Sequence, residues 1–101
     1  MRVIVFFDMP TESAFDRREY SRFRKYLIKN GFMMMQESVY IKLTLNQTTA
    51  KLLVDSIKRS KPSVGLVQVL VITEKQFQRI ETITGEPNRT VLDSDDGVVI
   101  L

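Results

Sequence analysis

Asp8 closes the run Arg2-Val3-Ile4-Val5-Phe6-Phe7 and is followed at once by Met9-Pro10. The five apolar residues from Val3 to Phe7, three β-branched and two aromatic, predict a strand buried on both faces. Pro10 has no N–H to donate and takes the chain out of the ladder. Asp8 is therefore expected at the carboxyl end of a buried strand, strongly desolvated, where a carboxylate is either a loop cap or a site. What it could do is bounded by what the chain lacks. There is no cysteine and no histidine. That removes thiolate chemistry, disulfides, zinc held by thiolates, a histidine base and any histidine-containing triad. Catalysis would have to run through carboxylates, Lys, Tyr or Ser, and a catalytic metal would be a hard cation on oxygen ligands.

A second group of residues carries charge without acid–base chemistry. Phe15 to Asn30 has helical periodicity and stops at Gly31. Tyr20, Phe23 and Leu27 fall in one narrow inward arc. Opposite them Arg18, Arg22, Lys25 and Lys29 recur at spacings of four, three and four, with Arg17 off the edge near the helix start. Unpaired backbone N–H groups there also favour anions. Like charges so placed repel by about a few tenths of a kcal/mol per pair. A solvated face is the plain alternative, and binding of a phosphate backbone is the reading preferred. The whole chain carries a net charge of +3 over 101 residues, unevenly placed. Residues 86–101 hold four acids and one Arg, net −3, which leaves +6 on the remainder. A basic body with an acidic tail suits a polyanionic partner as well as an ordinary solvated surface.

These residues need elements to position them. The 11.7 kDa chain is 44% hydrophobic and 27% charged, as expected of one small globular domain whose modest core oligomerisation often completes. A domain over residues 1–85 and a C-terminal tail over 86–101 are expected. No apolar run is long enough to span a bilayer and no secretory leader is evident, so a cytoplasmic protein is expected. Phe32 to Leu43 reads as a second strand or a bent pair. Met33, Met35, Val39, Ile41 and Leu43 lie on one face, and Met34, Gln36, Ser38, Tyr40 and Lys42 on the other. Asn46 is a cap for a second helix with Ala50, Leu53, Val54 and Ile57 inward. Val64 to Ile72 is a third strand, Thr73 to Gln78 a helical turn, and Arg79 to Thr84 a fourth, amphipathic strand. The architecture that fits best is α+β, a ferredoxin-like β-α-β-β-α-β sandwich with an extra C-terminal strand. Two helices cover one face of such a sheet. The other would leave Ile4, Phe6, Leu66, Leu70 and Ile72 in water, which predicts a homodimer through the helix-free face. Two Asp8 residues could then approach each other and share one cation.

The strand ending Phe7-Asp8-Met9-Pro10, the basic first helix, Asn30-Gly31-Phe32, Gln36-x-Ser38-Val39-Tyr40 and Val71-x-Thr73-x-Lys75-Gln76 together resemble the small CRISPR-associated endonuclease family that accompanies the spacer integrase. The Met-rich second strand and Thr73-Glu74-Lys75-Gln76-Phe77 look most like members found beside the type II effector nuclease. The resemblance implies a ferredoxin-like homodimer. In it, Asp8 matches the family's metal-binding and catalytic acid, and the partner's copy completes a magnesium or manganese site. It implies two roles that differ in kind. One is bridging integrase dimers while carrying the double-stranded prespacer DNA. The other is metal-dependent cleavage of RNA or duplex DNA, so whether the protein is an enzyme stays open here. Arg17 and Arg18 match the family's phosphate-contacting residues, and Val98, Val99, Ile100 and Leu101 match a terminal strand that packs on a neighbouring chain. An RNA-recognition sheet of the same topology is disfavoured, because Gly65 to Leu70 offers no aromatic stacking platform.

Overall fold

A computed structural model describes residues 1–92 of the chain. Four strands and four helices follow in the order β1 (Arg2–Asp8), α1 (Ala14–Lys29), β2 (Met33–Gln36), β3 (Val39–Leu43), α2 (Gln47–Arg59), β4 (Leu66–Ile72), α3 (Glu74–Phe77) and α4 (Arg89–Leu92). The strands form one antiparallel sheet in the order β2-β3-β1-β4, the ferredoxin-like arrangement expected. β1 is central, with Ile4 opposite Ile41 on one side and Leu70 on the other. Its alternation splits the molecule in two. Val3, Val5 and Phe7 point to the helical layer, while Arg2, Ile4, Phe6 and Asp8 point to the opposite face.

The main core lies between the sheet and α1 and α2. Phe7 sits at its centre, edge-on to Phe23 with ring centroids 5.6 Å apart and stacked on Tyr40 at 5.6 Å. α1 begins with a capping box in which Ser13 Oγ accepts from the Asp16 N–H and Asp16 accepts from the Ser13 N–H. It ends in a Schellman motif: the Gly31 N–H reaches Ile28 O at 3.0 Å and the Phe32 N–H reaches Leu27 O at 3.0 Å. Gly31 takes φ +88 there, a conformation that a residue without Cβ reaches freely. Asn46 caps α2 by accepting from the Thr49 N–H at 2.9 Å, as expected.

One alternative is settled and two expectations change. Phe32 to Leu43 is the bent pair, a hairpin turning at Glu37-Ser38 with Ser38 at φ +62 and a bulge between Met34 and Gln36. The facing of its side chains nonetheless holds, since Met33, Met35, Val39 and Ile41 all share the second cluster. Arg79 to Thr84 is not a strand. The Arg79 and Ile80 N–H groups are committed to Gln76 O and Phe77 O at the end of α3, and Gly85 and Pro87 break the run that follows.

The other change concerns the face opposite α1 and α2, which is not bare. α3 and α4 fold across one half of it and bury Phe77 and Val91 against Ile4 and Ile41, with Ile72 half-buried at the margin. Ile4 and Ile72 are therefore not presented to water as expected. The expected terminal strand, Val98 to Leu101, lies outside the described residues.

Candidate metal and nucleic-acid site

β1 delivers Asp8 to the half of the sheet that α3 and α4 leave open. Asp8 is exposed, which corrects the expectation of a strongly desolvated carboxylate. The reason is its neighbours: Asp8 pairs with Leu66 and Phe6 with Gln68 at the uncovered end of β4. Phe6, Leu66 and Leu70 are 38%, 57% and 50% exposed there, so Asp8 stands beside an apolar patch. The adjoining loops are close. The Phe7 N–H donates to Ser38 O at 3.0 Å. Gly65, at φ +87, lies so near that an added Cβ would meet Asp8 O at 2.7 Å and Met9 Cα at 3.0 Å. Gly65 thus seats the start of β4 against the backbone that carries Asp8, a role for which its sequence context gave little signal.

A cation held here would need more donors than this chain brings. Among the described residues no three His, Cys, Asp or Glu side chains form a group able to hold a metal ion. Asp16, the first acid of α1, is engaged in its capping box. One exposed carboxylate is a suitable hard donor but not a site; two, one from each of two copies, would fit a magnesium- or manganese-type ion with water completing the shell.

Arg17, Arg18, Arg22, Lys25 and Lys29 are all exposed on the outer side of α1. They are not equivalent. Arg17 Nη1 donates to Thr11 O at 3.1 Å and Glu12 O at 2.9 Å, fixing the loop after β1. Arg22 pairs with Glu19, Nε to Oε2 at 3.2 Å, and reaches Ser60 O at 3.3 Å and Lys61 O at 3.2 Å. Glu19 also accepts from the Ser63 N–H at 2.9 Å and Ser63 Oγ at 2.6 Å. The hydrogen bonds from Arg22 and then Ser63 hold its carboxyl at about 2, against an ordinary 4.5. An acid beside the cationic row therefore neutralises Arg22. Arg18, Lys25 and Lys29 have no salt bridge or hydrogen bond from their charged groups among the described residues.

Arg2 escaped sequence reasoning altogether. It is 1% exposed, forks onto Glu74 through Nη2–Oε1 at 2.7 Å and Nε–Oε2 at 2.9 Å, and donates to Val91 O at 3.2 Å. Its guanidinium carbon lies 3.9 Å above the centre of the Phe77 ring. Arg2 is thus the post that fastens α3 and α4 to the sheet. The Arg2 hydrogen bonds keep the Glu74 carboxyl below its ordinary value of 4.5, outweighing the opposing effect of burial.

No helix of the described residues is long and apolar enough to cross a membrane. Residues 1–80 match the family model described as CRISPR associated protein Cas2. A relative named CRISPR-associated endoribonuclease Cas2, from Treponema denticola, is 52% identical over 101 residues, covering all of both chains. Proteins of the same name from Streptococcus mutans and Ligilactobacillus salivarius are 42% and 39% identical, over all of this chain and 93% and 100% of theirs. With its sheet order, its acid at the end of β1 and these matches, the chain belongs to the Cas2 family of CRISPR-associated proteins.

Proposed function

We propose that the protein acts in CRISPR spacer acquisition as a homodimer that carries the prespacer DNA duplex and bridges dimers of the spacer integrase. One observation carries this reading: the outer side of α1 exposes Arg17, Arg18, Lys25 and Lys29 without a neutralising acid among the described residues. Such a row meets phosphates of any sequence, which is what a carrier of arbitrary duplexes requires. The homodimer covers Phe6, Leu66 and Leu70, with Ile72 at the margin, by matching this patch to itself about a two-fold axis. The terminal run Val98, Val99, Ile100 and Leu101 docks on a neighbouring chain. Neutralising Arg18, Lys25 and Lys29 to Gln tests the reading. Duplex affinity should fall alike for unrelated sequences, and the salt dependence should flatten by about 0.9 for each phosphate no longer neutralised. Wild-type affinity and slope in that variant would overturn it.

A second reading is favoured by the name the relatives carry, endoribonuclease. On it the protein is a divalent-metal-dependent endonuclease for RNA or duplex DNA, with one Asp8 carboxylate from each copy holding magnesium or manganese. Asp8 shares its face with Phe6 and Leu66, so an interface that covers those residues also draws the two carboxylates together. The bound ion would supply an activated water at neutral pH; the chain's own part is to place the two acids and their apolar surround.

A further inference from the structure

We propose that the phosphate track continues from α1 onto the C-terminal end of α2, where Lys58, Arg59 and Lys61 form a second backbone-binding cluster clipped to α1 by Glu19 and Arg22. It rests on the duplex-carrier reading of α1 and extends it to residues outside the helical row. Arg22 holds two consecutive carbonyls of the loop after α2, Ser60 O and Lys61 O. Glu19, one turn earlier, holds the backbone and the hydroxyl of Ser63. The middle of α1 is thereby cross-linked to residues 60–63 at both edges, and the loop becomes a lateral extension of the cationic helix. The same clip removes Arg22 from the track, since its charge is cancelled by Glu19, a carboxylate that stays ionised across the working range.

What the clip gains in exchange is the next segment. Lys58, Arg59 and Lys61 are all exposed, and none of their charged groups has a hydrogen bond or salt bridge among the described residues. From Ser56 to Gly65 the chain contains no acid. Lys58 and Arg59 complement the negative end of the α2 dipole, which accounts for two of the three cations by helix stability alone. Lys61 lies beyond the helix and takes no such benefit, yet its carbonyl is one of the two that Arg22 pins. Adjacent uncompensated cations on two elements held at fixed separation suit a regularly spaced row of phosphates, and a duplex backbone is the polyanion that supplies one.

The test uses the full chain and a double-stranded DNA oligonucleotide, titrated at several salt concentrations. The triple variant Lys58→Gln, Arg59→Gln, Lys61→Gln should bind roughly tenfold more weakly, with the slope against log salt flattened by about 0.9 for each phosphate left without its cation. Because two of these residues also favour the helix end, Lys61→Gln alone is the second arm. It should keep the wild-type melting temperature and still flatten the slope by about 0.9. Wild-type slopes in both variants would overturn the inference while leaving the carrier reading intact. Failure of the wild-type protein to bind the duplex at all would overturn both.

Discussion

Arg2 sits where a β-strand ordinarily places an apolar residue, and its burial is tolerable only because its donors are met. A buried guanidinium left without its carboxylate costs free energy even when its shape is accommodated. Glu74→Gln should therefore destabilise the fold by about 2 kcal/mol, the scale of a hydrogen bond to a charged group, as measured by urea denaturation at neutral pH. The sign with pH follows from the lowered Glu74 carboxyl. A group whose folded value lies below its unfolded one contributes stability above the unfolded value and loses it as pH falls through the folded one. The gap between wild type and Glu74→Gln should thus be full above about pH 5 and close progressively below an ordinary carboxyl value of 4.5. A gap that persists unchanged into strong acid would show that the pair contributes packing and not charge. Asp8 is the opposite case, an exposed carboxylate with no structural partner among the described residues. Asp8→Asn should leave the fold and duplex binding intact, with a melting temperature at or above that of wild type when divalent ions are absent, and should lower any divalent-dependent cleavage by orders of magnitude. Integration supported by the partner integrase should survive. Loss of integration by a folded Asp8→Asn protein would make the acid a working catalytic group in the adaptation reaction itself.

At the scale of elements, the approach of β4 to the end of β1 depends on one residue. A Cβ at position 65 would press on Asp8 O, on Met9 Cα and on the Met9 side chain, and φ +87 is strained for any L residue. Gly65→Ala should cost about 1–3 kcal/mol and shift the backbone bearing Asp8, so that duplex binding by α1 is retained while metal-dependent cleavage, where present, falls. Wild-type stability in Gly65→Ala would mean that β4 starts without that close approach. The elements themselves were largely legible. Strand β1, the Asn46 cap, the stop at Gly31 and the facing of Met33, Met35, Val39 and Ile41 follow from local periodicity, which tertiary packing here reinforces. A bent pair over Phe32 to Leu43 was legible as one of two alternatives, but its turn at Glu37-Ser38 was not, because it lacks the Asn-Gly or Asp-Gly pair that marks a tight turn. Arg79 to Thr84 alternates like a strand, but neither sheet edge takes it, and its first N–H groups close α3. The exposure of Asp8 depends on which half of the sheet the later helices cover. The Glu19–Ser63 clip and the Arg2–Glu74 post join residues 44 and 72 positions apart. No spacing rule reaches that far.

The whole molecule raises a question of what covers its open surface. α3 and α4 close the half of the sheet above Ile4 and Ile41, and they stop short of Phe6, Leu66 and Leu70. The remaining patch is contiguous by register, because Phe6 and Asp8 lie opposite Gln68 and Leu66. It is flanked by Asp8, so self-association places like charges near each other. That repulsion opposes a dimer without cations and is relieved when a divalent ion lies between the acids. The expectation is a dimer at micromolar concentration in sedimentation velocity, tightened by magnesium, and tightened without magnesium in Asp8→Asn. Leu66→Glu with Leu70→Glu, at positions already half in water, should leave the monomer fold and its melting temperature nearly intact. The same variant should sediment as a monomer. Divalent-dependent cleavage should vanish from it although Asp8 is untouched, since one chain then offers a single carboxylate. Duplex binding should weaken but keep its sequence tolerance, because each α1 still carries its own cations. A wild-type protein that stays monomeric at tens of micromolar with magnesium present would rule out this face as the interface. The double-Glu variant cutting as well as wild type would show that Asp8 works without its counterpart.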